Sequence, residues 1–359
     1  MAEDAAEEAF WRFEATLPDG RGSDWSCGGS IRAATGVPSG SGALKGPGKF
    51  MAMMTRREIL AGMAAAGLAS AQDGPRTPRP RTPPKPRTTP AVCLYSQHLI
   101  KVEYEAVGMI LRDLGFDGCD LAVVPGSHIP PEHAEQDLMR GIEAISGVGL
   151  EVPIISTSVT SATDPNGRQI LGIAGFMGIT MFRPGYWKYG NAPNREIRLA
   201  EAQREILGLA SIARAYNIAT ALHNSTGDCI GAGLSDLNGI LRNIDPRWVG
   251  YDFDPGFATE IAGVDGAGRL MGLAMPKLKA VTVRDFNWNK DKPDAGKATP
   301  CPLGEGVVDW HAFFAALARV RFVGPITIQV WYETKDELNA FRHDLAFVRK
   351  QVAAAYTAA

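Results

Sequence analysis

The chain has 359 residues, 45% of them hydrophobic and 21% charged, with a formal net charge of −2. That balance suits a globular protein with a large core and argues against a partner held by bulk charge, such as nucleic acid. No apolar run is long enough for stable membrane insertion. The five cysteines show neither metal-type spacing nor a disulfide framework.

Residues 1–53 are dense in Gly and Ser after a charged start and lack sustained periodicity, which reads as a disordered extension or a mis-assigned start. In residues 54–71, Arg56 and Arg57 precede an apolar stretch that ends at Ala69-Ser70-Ala71. This is the layout of a twin-arginine export signal, so a periplasmic or secreted protein is expected. Such a signal belongs at a terminus. Translation is therefore expected to begin at Met51, Met53 or Met54, a point that N-terminal sequencing of the precursor decides. Residues 72–90 form a basic, proline-rich linker that favours extended structure.

From residue 91 to 355, strand-like and helix-like segments alternate. Strands are expected at 91–95, 119–124, 152–159 and 179–183, followed by runs ending at His223, Asp254, Asp285 and Glu333. Asn194 is placed to cap a long helix reaching Tyr216, with Ile197, Ile206, Leu209 and Ala213 on one side. Asp309 is placed to cap the next-to-last helix. Thr334 and Glu337 have the spacing of a capping box before the last one. Eight such units predict an α/β fold, a single (β/α)8 TIM barrel.

The C-terminal ends of barrel strands carry the chemistry. His223, Asp254, Asp285 and Glu333 stand at four of them, and these residue types hold divalent metals. His223 and Glu333 are also candidates for proton transfer. Arg183 ends strand four, and Lys188 follows it among Tyr186, Trp187 and Tyr189. His98 and His128 follow strands one and two. Together with Trp288 and Glu305 these are candidate substrate contacts. Asp254-Pro255-Gly256 also reads as a simple turn, and Asp285 as an ion-pair partner of Arg284.

Several motifs occur in a telling order: Gly115-Phe116-Asp117-Gly118, Gly126-Ser127-His128, His223-Asn224, Asp254-Pro255-Gly256, Arg284-Asp285-Phe286-Asn287-Trp288 and Pro302-Leu303-Gly304-Glu305-Gly306. In this the chain resembles the xylose isomerase-like TIM barrels, which include bacterial sugar phosphate isomerases and epimerases, some with a twin-arginine leader. The resemblance implies a divalent metal (Mn²⁺, Mg²⁺ or Zn²⁺) held at the ends of strands five to eight. It also implies two ligating glutamates that move a proton next to a sugar carbonyl. This chain departs from that pattern. His223 stands for the strand-five Glu, Ser225 for a His, Phe257 for a His, Thr282 for the strand-seven His and Arg284 for a Lys. On strand eight, Gln329 stands for a His and Trp331 for the Glu. Strand eight is expected to end at Glu333, so Gln329, Trp331 and Glu333 share a face, and Glu333 either replaces the missing ligand or caps solvent.

The expected function is therefore a metal-dependent isomerase, epimerase or related lyase acting on a sugar or keto-sugar, with a free sugar or glycoside as the small-molecule partner. The alternative is an altered barrel that binds carbohydrate without metal chemistry. A DNA-repair endonuclease of the same superfamily needs more His and Glu ligands than this chain supplies.

Overall fold

The structure, a computed structural model, describes residues 87–288 and 297–357. The expected extension, the export signal and nearly all of the linker lie outside the described residues. Eight parallel strands close a barrel: β1 (Val92–Tyr95), β2 (Gly118–Val123), β3 (Glu151–Thr157), β4 (Met181–Arg183), β5 (Ala219–His223), β6 (Val249–Phe253), β7 (Leu278–Val283) and β10 (Ile326–Ile328). β1 pairs with both β2 and β10, which closes the ring. Helices α1 (Tyr104–Leu114), α2 (Ala134–Gly147), α3 (Gly167–Phe176), α4 (Arg195–Ala215), α5 (Ser235–Leu241), α6 (Pro255–Ala274), α7 (Trp310–Arg319) and α8 (Glu337–Thr357) alternate with them. The expected (β/α)8 barrel is the observed fold. No helix among the described residues is long and apolar enough to cross a membrane.

Local signals explain most boundaries. Asn194 caps α4 by accepting from the backbone N–H of Glu196 and Ile197 (2.7 and 3.2 Å). Ile206, Leu209 and Ala213 are buried as expected, whereas Ile197 in the first turn is 55% exposed. Asp309 caps α7 through Ala312 N–H (3.0 Å). For α8 the cap is Asp336, which accepts from Asn339 N–H (3.0 Å), while Thr334 only braces Asp336.

Two features were not expected. A hairpin of β8 (Asp285–Trp288) and β9 (Ala298–Cys301) is inserted after β7. β10 also ends at Ile328, because its pairing with β7 and β1 stops at Val283 and Leu94. Residues 329–333 are irregular, so strand alternation does not carry inward aim on to Trp331 and Glu333.

Side chains inside the barrel form layers, as the two-residue strand period requires. Ile154, Ala221 and Ala280, packed by Met181, make an apolar layer. Two residues further along the same strands come Ser156, His223, Thr282 and Arg183. There the interior turns polar.

At the C-terminal rim of the ring, His98 fixes the loop after β10. Its Nε2 accepts the backbone N–H of Val330 (3.0 Å), and its ring packs edge-on to Trp331, 4.8 Å between centroids. Burial pushes its pKa down to about 3. The unfolded chain, with histidine near 6.5, binds this proton first. The stability that His98 contributes is therefore present above about pH 6.5 and drains away as pH falls toward 3. A loss on the order of 1–2 kcal/mol is expected between pH 6.5 and 5, at about 1.4 kcal/mol per unit. Thermal melts at pH 7 and pH 5 should show it. A His98→Gln variant with an unchanged pH slope would refute the assignment.

Candidate functional site

The deepest polar feature is a plug across the barrel. Arg183 Nε donates to Asp252 Oδ2 (2.5 Å), Nη1 donates to Asp120 Oδ2 and Ser156 Oγ (2.7 and 2.5 Å), and Nη2 donates to Thr282 Oγ1 (2.8 Å). Thr282 donates in turn to Asp252, Ser156 to Asp120, and Thr327 to Asp120 Oδ2. All these residues are buried. Burial alone would lower the Arg183 pKa, but the two carboxylates outweigh it and raise the value. Every guanidinium nitrogen is thus occupied within the protein, and Arg183 joins strands rather than presenting a free fork to a sugar. Asp120 is not among the residues expected at the strand ends, and its signal in the sequence is a lone acid inside the apolar run Gly118–Val123.

One layer further toward the C-terminal end lies a second cluster. Asp254 follows Asp252 by two, and Arg284 follows Thr282 by two. Asn224 ties β5 to this level: its Nδ2 donates to Asp254 O (3.0 Å) and its Oδ1 accepts from Asp254 N–H (2.7 Å). Asp254 Oδ1 caps α6 through Phe257 N–H (2.9 Å), leaving Oδ2 turned to the cluster. His223 Nε2 stands 3.6 Å from that Oδ2, and Arg284 Nε stands 3.1 Å from it. Neither His223 Nε2 nor Asp254 Oδ2 makes a hydrogen bond within the protein. Tyr186 Oη holds the other face of the imidazole, 2.5 Å from Nδ1. Burial drives the Tyr186 pKa up, so its phenol stays protonated at neutral pH. Arg284 sits over the Phe257 ring, its guanidinium carbon 3.0 Å from the ring centroid, with Glu260 at 3.9 Å. Burial raises the Glu260 pKa.

The other candidates are dispersed. Asp285 has the opposite strand parity to Arg284 and points out of the barrel. Its carboxylate accepts from the N–H of Phe286, Gly304, Gly306 and Val308 and from Trp310 Nε1 (2.7–3.4 Å). A Cβ on Gly306 would sit 1.9 Å from Asp285 Oδ1, so glycine is required there. The Arg-Asp-Phe-Asn-Trp and Pro-Leu-Gly-Glu-Gly motifs are thus two halves of one structural nest. Glu333 is exposed beyond the end of β10. Glu305 is exposed on the nest, with its carboxylate 3.8 Å from His343. Lys188 is exposed, and its carbonyl accepts from Arg198 Nε. His128 Nε2 lies 2.9 and 2.8 Å from the carbonyl oxygens of Leu99 and Val102 and latches a loop. Trp288 packs edge-on against Phe286 in the hairpin.

A family model described as xylose isomerase-like TIM barrel matches residues 110–351. The chain belongs to this family. No curated protein matches its sequence. Among solved structures, this barrel is similar to a xylose isomerase-like TIM barrel protein from Mycobacterium smegmatis in complex with magnesium. There the TM-score is 0.59 at 15% identity, covering 75% of this chain and 98% of that one. It is also similar to 3-keto-D-glucoside 4-epimerase from E. coli, with TM-score 0.58, 15% identity and coverage of 73% and 100%. A D-allulose 3-epimerase from Methylomonas sp. in complex with D-allulose gives TM-score 0.56, 16% identity and coverage of 73% and 97%. At such identities the likeness establishes the fold.

The residues at this xylose isomerase-like barrel's mouth can be tested against a divalent ion. His223 and Asp254 come together as ligands would, but Asp285 and Glu333 do not join them. Among the described residues, no group of three or more His, Cys, Asp or Glu side chains converges. The neighbour that does arrive is a cation, Arg284. Like unit charges 4 Å apart repel by about 4 kcal/mol at an effective dielectric of 20, and a dication doubles that. The arrangement does not fit a divalent metal.

Proposed function

We propose that this barrel acts on a sugar or keto-sugar by moving a proton next to its carbonyl, the reaction class of an isomerase or epimerase. The observation that carries this reading is His223, held by Tyr186 on Nδ1 and left with an unbonded Nε2 beside Asp254. In this reading Nδ1–H donates to Tyr186 Oη, and the lone pair on Nε2 takes the proton from the carbon next to the carbonyl. The C–H electron pair forms the new C=C bond, and the carbonyl π pair moves onto oxygen. The Arg284 guanidinium meets that developing oxyanion. For isomerisation His223 returns its proton to the former carbonyl carbon, while the hydroxyl proton of the first carbon passes to the oxyanion and its O–H pair forms the new carbonyl. For epimerisation the oxyanion pair re-forms the original carbonyl as the proton is delivered to the opposite face of the same carbon. The sequence pattern around Arg56 supports export, which favours a free sugar or glycoside over a sugar phosphate.

The test is hydrogen exchange in D₂O. Ketoses, aldoses and keto-glycosides are incubated with the protein, and loss of the α-proton signal is followed by NMR. His223→Ala is expected to slow exchange by roughly 10²–10⁴-fold. A second reading, carbohydrate binding without turnover, is favoured by the burial of His223 and Asp254, whose side chains are 3% and 0% exposed. Sugar-dependent thermal shifts with no exchange on any substrate would establish the second reading over the first. Absence of both would overturn the two together.

A further inference from the structure

Four departures from the family pattern, scattered in sequence, lie in two adjoining layers of the barrel. Arg284 stands where the resemblance expects Lys, Phe257 where it expects His, and Thr282 where it expects the strand-seven ligand. His223 replaces a Glu. In the structure Thr282 is drawn down into the plug by Arg183 and Asp252, which vacates the strand-seven position. Arg284, on the same face one layer up, folds back over the Phe257 ring at 3.0 Å and brings Nε to 3.1 Å from Asp254 Oδ2. A histidine at 257 would put a basic ring beneath the guanidinium; phenylalanine offers it an attractive π face. Gly256 leaves room for this path, since a Cβ there would lie 3.1 Å from Arg284 Cγ and 2.8 Å from its carbonyl oxygen. Glu260, one turn along α6, stands 3.9 Å from Arg284 Nη2 on its other side.

We infer that Arg284 is a built-in cation that takes the place of a divalent metal at the mouth of this barrel. The Arg284 guanidinium supplies the fixed positive charge beside His223 and Asp254, and the aromatic seat of Phe257 holds it there. The two would-be ligands face a permanent cation rather than an exchangeable one. A guanidinium remains charged throughout the working pH range and cannot be removed by chelation. The chemical consequence is a barrel indifferent to chelators and to the identity of the divalent ion in its surroundings. The inference concerns the charge at the site and stands whether or not a sugar is turned over.

The experiment is calorimetric titration of the full chain with Mn²⁺, Mg²⁺ and Zn²⁺ in the absence of sugar, with thermal melts in parallel. Wild type is expected to show no saturable binding below about millimolar metal and no change in melting temperature on chelation. Arg284→Met removes the cation and leaves His223 and Asp254 facing each other, 3.6 Å apart. It is expected to bind Zn²⁺ or Mn²⁺ at least about tenfold more tightly than wild type, and Asp254→Asn in that background should abolish the gain. Arg284→Lys, which keeps the charge, should remain refractory to metal. Stoichiometric micromolar binding by wild type that Asp254→Asn removes would overturn the inference. So would an Arg284→Met protein, folded by circular dichroism, that binds metal no more tightly than wild type.

Discussion

Replacing Arg183 by methionine is expected to destabilise the barrel by about 3–5 kcal/mol, the cost of breaking a buried ion pair by removing one partner. The reason is local and specific. Arg183 is the hub between Asp120 on β2 and Asp252 on β6, and both carboxylates are fully buried. Without the guanidinium, two negative charges remain in the barrel with only the hydroxyls of Ser156, Thr282 and Thr327 to solvate them. For a domain of this size the melting temperature should fall by about 6–20 °C. Neutralising the carboxylates in the same background, with Asp120→Asn and Asp252→Asn, should recover part of the loss, because the penalty is uncompensated charge rather than lost volume. A substrate-binding Arg183 would behave differently, weakening sugar affinity while leaving the melting temperature near wild type. Chemical denaturation of the single and triple variants separates these outcomes.

Asp285→Ala should be comparably severe, at about 3–5 kcal/mol. Its carboxylate accepts five N–H groups that close the loop from Pro302 to Trp310 onto the β8–β9 hairpin. A buried donor stripped of its partner costs roughly 1–3 kcal/mol, and relaxation of the loop returns some of that. Asp285→Asn should lose much of the same stability, since an amide turns a donor toward some of those N–H groups. Gly306→Ala should disrupt the nest from the other side, because its Cβ would collide with Asp285 Oδ1. A metal-ligand role would instead predict an Asp285→Asn protein of near-native stability with altered metal affinity. Melting curves and metal titration on that single variant discriminate between the two.

Much of the fold was legible along the chain. Alternating apolar runs, the caps at Asn194 and Asp309, and the motif order all point to one barrel, because hydrophobic period and capping chemistry are local properties. The pairing of His223 with Asp254 was legible too, since strand ends at one rim of a barrel share a face. Strand-end position in the sequence puts Asp285 and Glu333 in the same set, and parity and strand length take them out of it. Asp285 has the parity of Val283, not of Thr282, and so turns outward. Glu333 assumed a strand that stops at Ile328 when its neighbours run out.

By itself, then, the sequence determined the barrel and the level at which its polar residues lie, because both follow from periodicity within single segments, while the order of its motifs carries the family resemblance. Only the tertiary structure decided which charges meet. The salt-bridged plug of Asp120, Arg183 and Asp252 joins residues up to 132 positions apart. The seating of Arg284 on Phe257 beside Asp254 joins two strands and the helix between them. Such contacts depend on barrel closure and side-chain path, and no pattern within one segment encodes either.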